Sequence, residues 1–208
     1  KMLYLDDAMQ NLGDMVDYAV CDLGFDPDEF FGWFISSGIA SRFEKGNPKY
    51  VGGMSGYELA DAVLTATNVS YEKKEPSYSD FKGREYWAGW ILAYYQWITK
   101  QRFEDIVKDG LTLSTVFSMY ILHEADVSKF VEAANEVIAR NKESRKSKLS
   151  EIRKARGFTQ QQLSDASGVT LRMIQLYEQR QNDISKAQVN VVLSLAKALG
   201  CDIEDIIE

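Results

Sequence analysis

From Leu5 onward the apolar positions recur at intervals of three and four. Leu5, Ala8, Met9, Leu12, Met15, Val16, Ala19, Val20 and Leu23 fall on one face of a helix, and Gly24 supplies its stop. Asp26-Pro27-Asp28-Glu29 reads as the next helix start, with Asp26 as N-cap, Pro27 at the first helical position and Glu29 three after the cap. Phe30, Phe31, Phe34 and Ile35 give that helix its apolar face. Residues 80–100 form another long helix, with Trp87, Trp90, Ile91, Tyr94, Tyr95 and Ile98 spaced for burial. Shorter helices are expected near 103–108 and 113–123, and Ile121, Leu122 and Ala125 place His123 on a helix packed against the core. A last helix from Val127 to about Arg140 carries Phe130, Val131, Ala134, Val137 and Ile138. No stretch alternates apolar and polar residues, so no strand is required.

One segment in this region is glycine-rich. Gly46 to Gly56 precedes a helix, as a phosphate-cradling loop would. It lacks the Gly-x-x-x-x-Gly-Lys-[Ser/Thr] order and a preceding buried strand, which favours a structural loop over a ligand-contacting one. Ser55-Gly-Tyr-Glu58 is a capping box, Ser to Glu at three.

From Leu149 the helices become shorter and the punctuation denser. Leu149 to Arg156 is a short helix ended by Gly157. Thr159 and Gln162 make a capping box that opens a second helix, with Leu163 and Ala166 inward. Gly168 breaks it, because a tight inter-helix turn wants a residue free to take positive φ. Val169 plugs the turn, and Thr170 caps a third helix from Leu171 to about Gln179. Ser185 and Gln188 read as a further box opening a fourth helix, with Val189, Val192, Leu193, Ala196 and Leu199 inward and Gly200 as its stop. A short turn from Asp202 to Ile207 closes the core with Ile203 and Ile206. A helix-turn-helix at positions two and three of five short helices fits a DNA-reading module.

Residues 149–207 resemble the helix-turn-helix domain of the Cro/C1 (XRE) family of phage and bacterial repressors. The string that carries the resemblance runs from Gly157-Phe-Thr-Gln160 through Leu163, Gly168-Val169-Thr170, Ile174 and Tyr177-Glu178. The tail from Leu195 to Ile206 fits as well. Ser164 stands where the family usually has alanine, a small change. The resemblance implies that Gln160, first in the second helix, hydrogen-bonds a DNA phosphate with help from the positive end of that helix. It implies that the third helix, 170–179, lies in the major groove with Leu171, Arg172 and Gln175 exposed to base edges. Arg bonds guanine, Gln pairs with adenine, and Leu touches a thymine methyl. Leu176 either meets a thymine methyl or turns into a dimer contact. Arg153 and Glu178 match a structural salt bridge between the first and third helices. Thr170, Arg180 and Lys186 are candidate phosphate contacts.

Charge sharpens the division. Residues 1–140 hold 13 Lys/Arg and 22 Asp/Glu, a net charge of −9, whereas 141–208 hold 11 and 9, a net +2. All four tryptophans lie in the first part. Residues 141–148 contain no apolar side chain and read as a solvated linker, an exposed helix extension or a phosphate-contacting arm. The expected architecture is all-α: an acidic, aromatic-rich helical domain over 1–140, the charged connection, and a five-helix DNA-binding domain over 149–208. About five phosphate contacts would give a salt slope near −4 or −5, and the acidic module opposes loose attachment to any duplex. One such domain reads a short half-site, so a homodimer on palindromic operator DNA is expected.

The chemistry elsewhere is sparse. A single histidine, His123, and two distant cysteines, Cys21 and Cys201, do not make a His/Cys metal site or a disulfide framework. No spacing singles out a carboxylate pair, so no catalytic residue, metal or cofactor is expected. No run of about 18 apolar residues exists, and Asp6 and Asp7 stand where a signal peptide needs an apolar core, which together suggest a cytoplasmic protein with no membrane contact. Three roles compete for residues 1–140. The domain binds a protein, as in a two-part antitoxin that neutralises a toxin and represses its own operon. Alternatively it binds a small ligand, with Trp87, Trp90, Tyr94 and Trp97 near it, or only dimerises. The enzyme reading is the weakest.

Overall fold

The computed structural model describes residues 4–77, 82–144 and 146–207. Among them there is no strand. The chain divides into two compact units, Lys1–Ala139 and Arg140–Glu208.

The first unit is built around α1 (Leu5–Asp17), followed by α2 (Pro27–Ser36), α3 (Ile39–Glu44), α4 (Pro48–Val51), α5 (Gly56–Ala66), α6 (Arg84–Thr99), α7 (Phe103–Lys108), α8 (Leu113–Ser118) and α9 (Val127–Ser144). The apolar face read from the sequence is the buried one: Ala8, Met9, Leu12, Met15 and Val16 of α1 are 4% exposed or less. Three glycines let neighbouring backbones close on this helix. A Cβ on Gly89 of α6 would lie 2.3 Å from Leu12 O, and one on Gly56 of α5 would lie 2.5 Å from Asp14 Cβ. One on Gly13 of α1 itself would lie 2.7 Å from the Tyr86 ring. The side chain of Asn11 donates to Val51 O and Met54 O at 2.6 and 3.0 Å, which ties down the chain between α4 and α5. Phe31, Phe34, Phe43 and Phe103 make an aromatic cluster with centroids 5.3 to 6.1 Å apart, mostly in the tilted or edge-to-face geometries that ring quadrupoles favour.

The expected helix over Leu5–Leu23 does not run straight through. From Tyr18 to Asp22 it widens into a π-turn, in which Leu23 N–H reaches Tyr18 O at 3.0 Å. The wider turn leaves both Tyr18 and Ala19 buried, and Tyr18 Oη donates to Lys74 O at 2.7 Å. The capping box of Ser55 and Glu58 and the Asp26 N-cap are formed as read. The long helix expected over 80–100 begins at Arg84, and residues 80 and 81 lie outside the described ones. The expectation for His123 is corrected. It sits on a 3₁₀ turn, Tyr120–Glu124, stacked on the Tyr120 ring at 4.3 Å. Ile121 beside it is 86% exposed rather than core.

The second unit follows the expected order: α10 (Lys148–Ala155), α11 (Gln160–Ser167), α12 (Leu171–Glu178), α13 (Val189–Leu199) and α14 (Ile203–Ile206). Leu149, Leu163, Ile174, Tyr177, Val192, Leu195, Leu199 and Ile206 form its core. Other expectations change. Ala166 is exposed rather than inward, and on α13 Val189 and Leu193, 74% and 38% exposed, lie outside the core that Val192, Leu195, Ala196 and Leu199 enter. Ser185 does not cap α13. Its N–H and Oγ bond Asp183 Oδ1 at 2.9 and 2.6 Å, which makes Asp183 the cap of a separate 3₁₀ turn, Ile184–Lys186. Of the readings given for 141–148, the helix extension is the one the structure takes at its start: α9 continues to Ser144, and Ser147 is the buried N-cap of α10.

Candidate nucleic-acid interface

The helix-turn-helix consists of α11, a three-residue turn (Gly168, Val169 and Thr170) and α12. Thr159 and Gln162 close the capping box at the start of α11, with bonds of 2.8 and 3.1 Å. At its end Gly168 takes φ +72°, a left-handed conformation that costs most residues energy and glycine little. Val169 is buried below the turn, and Thr170 caps α12 by accepting from Met173 N–H at 3.4 Å. Ile174 and Tyr177 face the core. That leaves the first turn of α12 facing outward: Arg172 is exposed, and Leu171 and Gln175 are half-buried. The three residues expected to read bases therefore share the outer side of one short helix. Leu176 is half-buried.

The back of α12 is fixed by a buried ion pair. Arg153 of α10 bonds Glu178 through two nitrogens, Nε to Oε1 at 2.5 Å and Nη2 to Oε2 at 2.9 Å. The two side chains are only 8% and 6% exposed. Arg153 Nη1 also donates to Phe158 O at 2.6 Å. The fork geometry satisfies both carboxylate oxygens, which is the condition under which a buried pair does not cost more than it returns. Burial alone would push the Glu178 carboxyl up. The hydrogen bonds from Arg153 and Gln160, with the arginine charge, outweigh it and hold the group below the usual carboxylate range. The hydrogen bond to Glu178 raises the already high Arg153 value further.

Gln160 is drawn into the same cluster, its Nε2 donating to Glu178 Oε2 at 2.8 Å. A carboxamide nitrogen has two N–H donors, so this bond orients the side chain and uses one of them. Gln160 also lines a cleft of about 570 Å³ with Lys154, Gly157, Phe158 and Thr159. Lys154, in the last turn of α10, is exposed there, a cation that the sequence reading did not assign. The other proposed phosphate contacts differ among themselves. Thr170 is exposed with its Oγ1 engaged as a cap. Lys186 is exposed and 3.2 Å from Asp183 Oδ2. Arg180 is half-buried with φ +57°, and its Nε is buried.

Ser164 has more to do than its size suggested. Its Oγ donates to Val169 O at 2.7 Å and so bridges the turn from inside α11. No spacing rule in the sequence announces that bond, because it depends on the turn geometry.

In the first unit, Asp17, Cys21 and Glu85 bring ligand atoms within 4.8 Å of one another. Burial and the neighbouring carboxylates push the Cys21 thiol up to about 12, so it holds its proton at neutral pH. Sequence spacing could not have found this group, since Glu85 arrives from another helix. Of the four aromatics considered for a pocket, Trp87 is 8% exposed and packs edge-on to Tyr120 and Phe130. Trp90, Tyr94 and Trp97 are half-buried.

Residues 149–206 match the helix-turn-helix family model. The C-terminal unit therefore carries an XRE-type helix-turn-helix. No characterised protein and no solved structure matches the chain. No described helix is long and apolar enough to cross a membrane.

Proposed function

We propose that the chain is a sequence-specific DNA-binding transcription regulator that represses by occupying a palindromic operator as a dimer. The observation that carries this reading is the outer side of α12, with Arg172 exposed and Leu171 and Gln175 half-buried beside it, on a helix tied to α10 and α11 through Glu178. A base-reading helix has to be held rigidly and leave its side chains free, and this arrangement does both. In this reading Arg172 bonds guanine O6 and N7, Gln175 pairs with adenine, and Leu171 contacts a thymine methyl. Gln160, Thr170, Arg180 and Lys186 take phosphates.

The N-terminal unit is the acidic module of this regulator, and binding a protein is the role we favour for it, in the manner of a two-part antitoxin. Ile121 is 86% exposed on a turn where Tyr120 and His123 stack, which makes it the side chain with which to test the role. Expressing the small reading frames next to this gene alone and together with the chain tests it. A toxic product rescued by the intact chain and not by Ile121→Asp supports the role; no toxic neighbour returns the unit to ligand binding or dimerisation.

Selection of bound duplexes from a random-sequence library by the full-length chain tests the DNA reading. Enrichment of one motif is expected. Arg172→Ala should then weaken binding to it by about 1–3 kcal/mol and relax the choice at one base position, with far-UV circular dichroism unchanged. Equal binding of the motif by Arg172→Ala would remove that residue from the interface.

A further inference from the structure

We infer that a basic and aromatic patch on the acidic N-terminal unit, formed by Arg42, Lys45, Lys49 and Lys100 around Tyr50 and Trp97, holds backbone phosphates of the duplex beside the operator. The contact lies outside the helix-turn-helix and reads no base. The inference rests on the DNA-reading role proposed above and adds a second anchoring surface to it.

One tight reversal of the chain builds the patch. α3 ends at Glu44, and Gly46 takes φ +72°. The Gly46 N–H returns to Phe43 O at 2.8 Å and the Asn47 N–H to Arg42 O at 3.0 Å, the paired bonds of a Schellman stop. α4 starts at once, with Asn47 Oδ1 accepting from Lys49 N–H at 3.0 Å. The reversal brings Arg42 and Lys49 to the same ring. Arg42 Nη1 donates to Tyr50 Oη at 2.8 Å, and Lys49 Nζ lies 5.5 Å from the centre of that ring. Gly46 in turn borders Trp97 of α6, where a Cβ would stand 4.0 Å from Cη2 of the indole. Lys100 Nζ sits 4.9 Å from the centre of the same indole. Arg42, Lys45, Lys49 and Lys100 are all exposed.

What sets these cations apart is the absence of acid beside them. Elsewhere in the unit Lys73 pairs with Asp61, Lys82 with Asp14, Arg84 with Glu85, Arg102 with Asp105 and Lys129 with Glu132. Among the described residues, none of the four patch cations forms an ion pair with a carboxylate. Glu44 is the one acid between residues 42 and 50. Its Oε2 accepts from Phe103 N–H at 3.0 Å, so it serves the start of α7. Complementing the negative end of α3 accounts for Arg42 and Lys45 but not for Lys49 or Lys100.

Charge names the occupant as a polyanion. The cations are spread over two rings rather than converging on one point, which suits the spaced phosphates of a backbone better than a single anion. The unit carries a net charge of −9, so with these cations set aside the remainder is more acidic still. A polyanion repels that remainder and is admitted on this side alone. Duplex DNA is favoured over an acidic polypeptide because the chain itself delivers it. A duplex held by α12 presents its flanking phosphates to the patch at an effective concentration of order millimolar. An acidic polypeptide would have to bind from free solution.

The test titrates the full-length chain with the duplex motif it selects from a random library. One duplex is trimmed to the motif, and the other is extended on each side by about 20 base pairs of unrelated sequence, two helical turns. At low salt the extended duplex should bind more tightly. Its log K should fall more steeply with log salt, by about 3–4 per bound chain. Lys45→Gln/Lys49→Gln/Lys100→Gln should remove most of that extra slope and leave trimmed-motif affinity and the circular dichroism melt unchanged. Lys73→Gln/Lys74→Gln/Lys129→Gln removes the same charge elsewhere in the unit and should keep the extra slope. The inference is overturned if the flanks add nothing for the unmodified chain, or if the patch variant keeps the full extra slope. Equal loss in both variants would also overturn it, by showing that net charge and not this surface is responsible. So would loss of trimmed-motif binding in the patch variant, which would place these residues in base reading or in the fold. Polyglutamate binding that the patch variant loses, with no effect of the flanks, would assign the surface to an acidic polypeptide instead. Failure of the DNA reading itself looks different: the unmodified chain would enrich no motif.

Discussion

In the N-terminal unit Gly89 lies against α1, where an added methyl group would meet the Leu12 carbonyl at 2.3 Å. In the C-terminal unit Gly168 stands in open space, with nothing within 4 Å of such a methyl and with φ at +72°. One residue type answers two different demands, close approach of backbones in the first unit and a left-handed turn in the second. The charges divide in a similar way. The Lys82–Asp14 pair of the first unit is 2.6 Å long, with the lysine side chain 45% exposed, so solvent shares in stabilising it. The Arg153–Glu178 pair of the second is closed off from water on both sides. The first unit is thus packed around a central helix, and the second has a small apolar core beside which Glu178 ties α12 to Arg153 of α10 and Gln160 of α11.

The largest effect should come from that pair. Glu178→Ala leaves the Arg153 guanidinium buried without its carboxylate, and we expect the C-terminal unit to lose about 3–5 kcal/mol. All four tryptophans lie in the N-terminal unit. Their fluorescence should therefore melt as before while the α-helical signal of the C-terminal unit is lost earlier. A tryptophan transition that moved equally would show the two units to unfold together. The same pair sets a pH dependence. The Glu178 carboxyl is held below the usual range in the folded state, so the unfolded chain takes up its proton first as pH falls. The stabilisation is complete above the ordinary carboxylate value and is lost as pH drops through the lowered one, from roughly pH 5 downward. Glu178→Gln should lack this component, so its melting temperature should converge with that of the unmodified chain toward pH 3. A constant gap between the two down to that pH would contradict the assignment.

Gly89→Ala comes next. The methyl group meets backbone, which cannot rotate out of the way, so α6 must move off α1. Overpacking of this kind costs about 1–3 kcal/mol, and backbone contact on a central helix places Gly89 at the upper end. The tryptophan transition should shift to lower denaturant, and DNA binding below that transition should be unchanged. A shift no larger than that of a surface substitution would mean that the crossing of α1 and α6 is looser than 2.3 Å implies.

These contrasts also explain what could be read from the chain in advance. Thr159, Gly168, Thr170 and Gly200 are local signals: each acts within a few residues of its own position, so spacing alone marks the helix-turn-helix. The pairing of Arg153 with Glu178 came through family resemblance, since no local rule joins residues 25 apart. Gly13, Gly56 and Gly89 were silent because their role is set by the residue across the helix crossing. Ser164 was silent too, because its bond to Val169 O needs the turn already formed. The π-turn at Tyr18 departs from the regular three-and-four spacing, and the partner of its hydroxyl, Lys74 O, lies far along the chain. Ile121 was misplaced for a related reason: an apolar residue in a short 3₁₀ turn has no period to obey. The role of the N-terminal unit is the least legible feature, for its side chains are spent largely on packing.

The smallest effect, and the sharpest test of the comparison, is at Gly168. A side chain there meets no neighbour, so the cost of Gly168→Ala is the left-handed conformation alone, about 1–2 kcal/mol. Asparagine tolerates that conformation better than alanine because its short polar side chain bonds locally. Gly168→Asn should therefore recover part of the loss, although asparagine is the larger residue. At Gly89 the order should reverse: asparagine should be worse than alanine, because volume rather than φ is limiting there. The four variants, melted in denaturant and followed by circular dichroism and tryptophan fluorescence, separate the two demands. If asparagine were worse than alanine at both positions, Gly168 would also be a packing glycine, and the turn between α11 and α12 would be tighter than its open surroundings indicate.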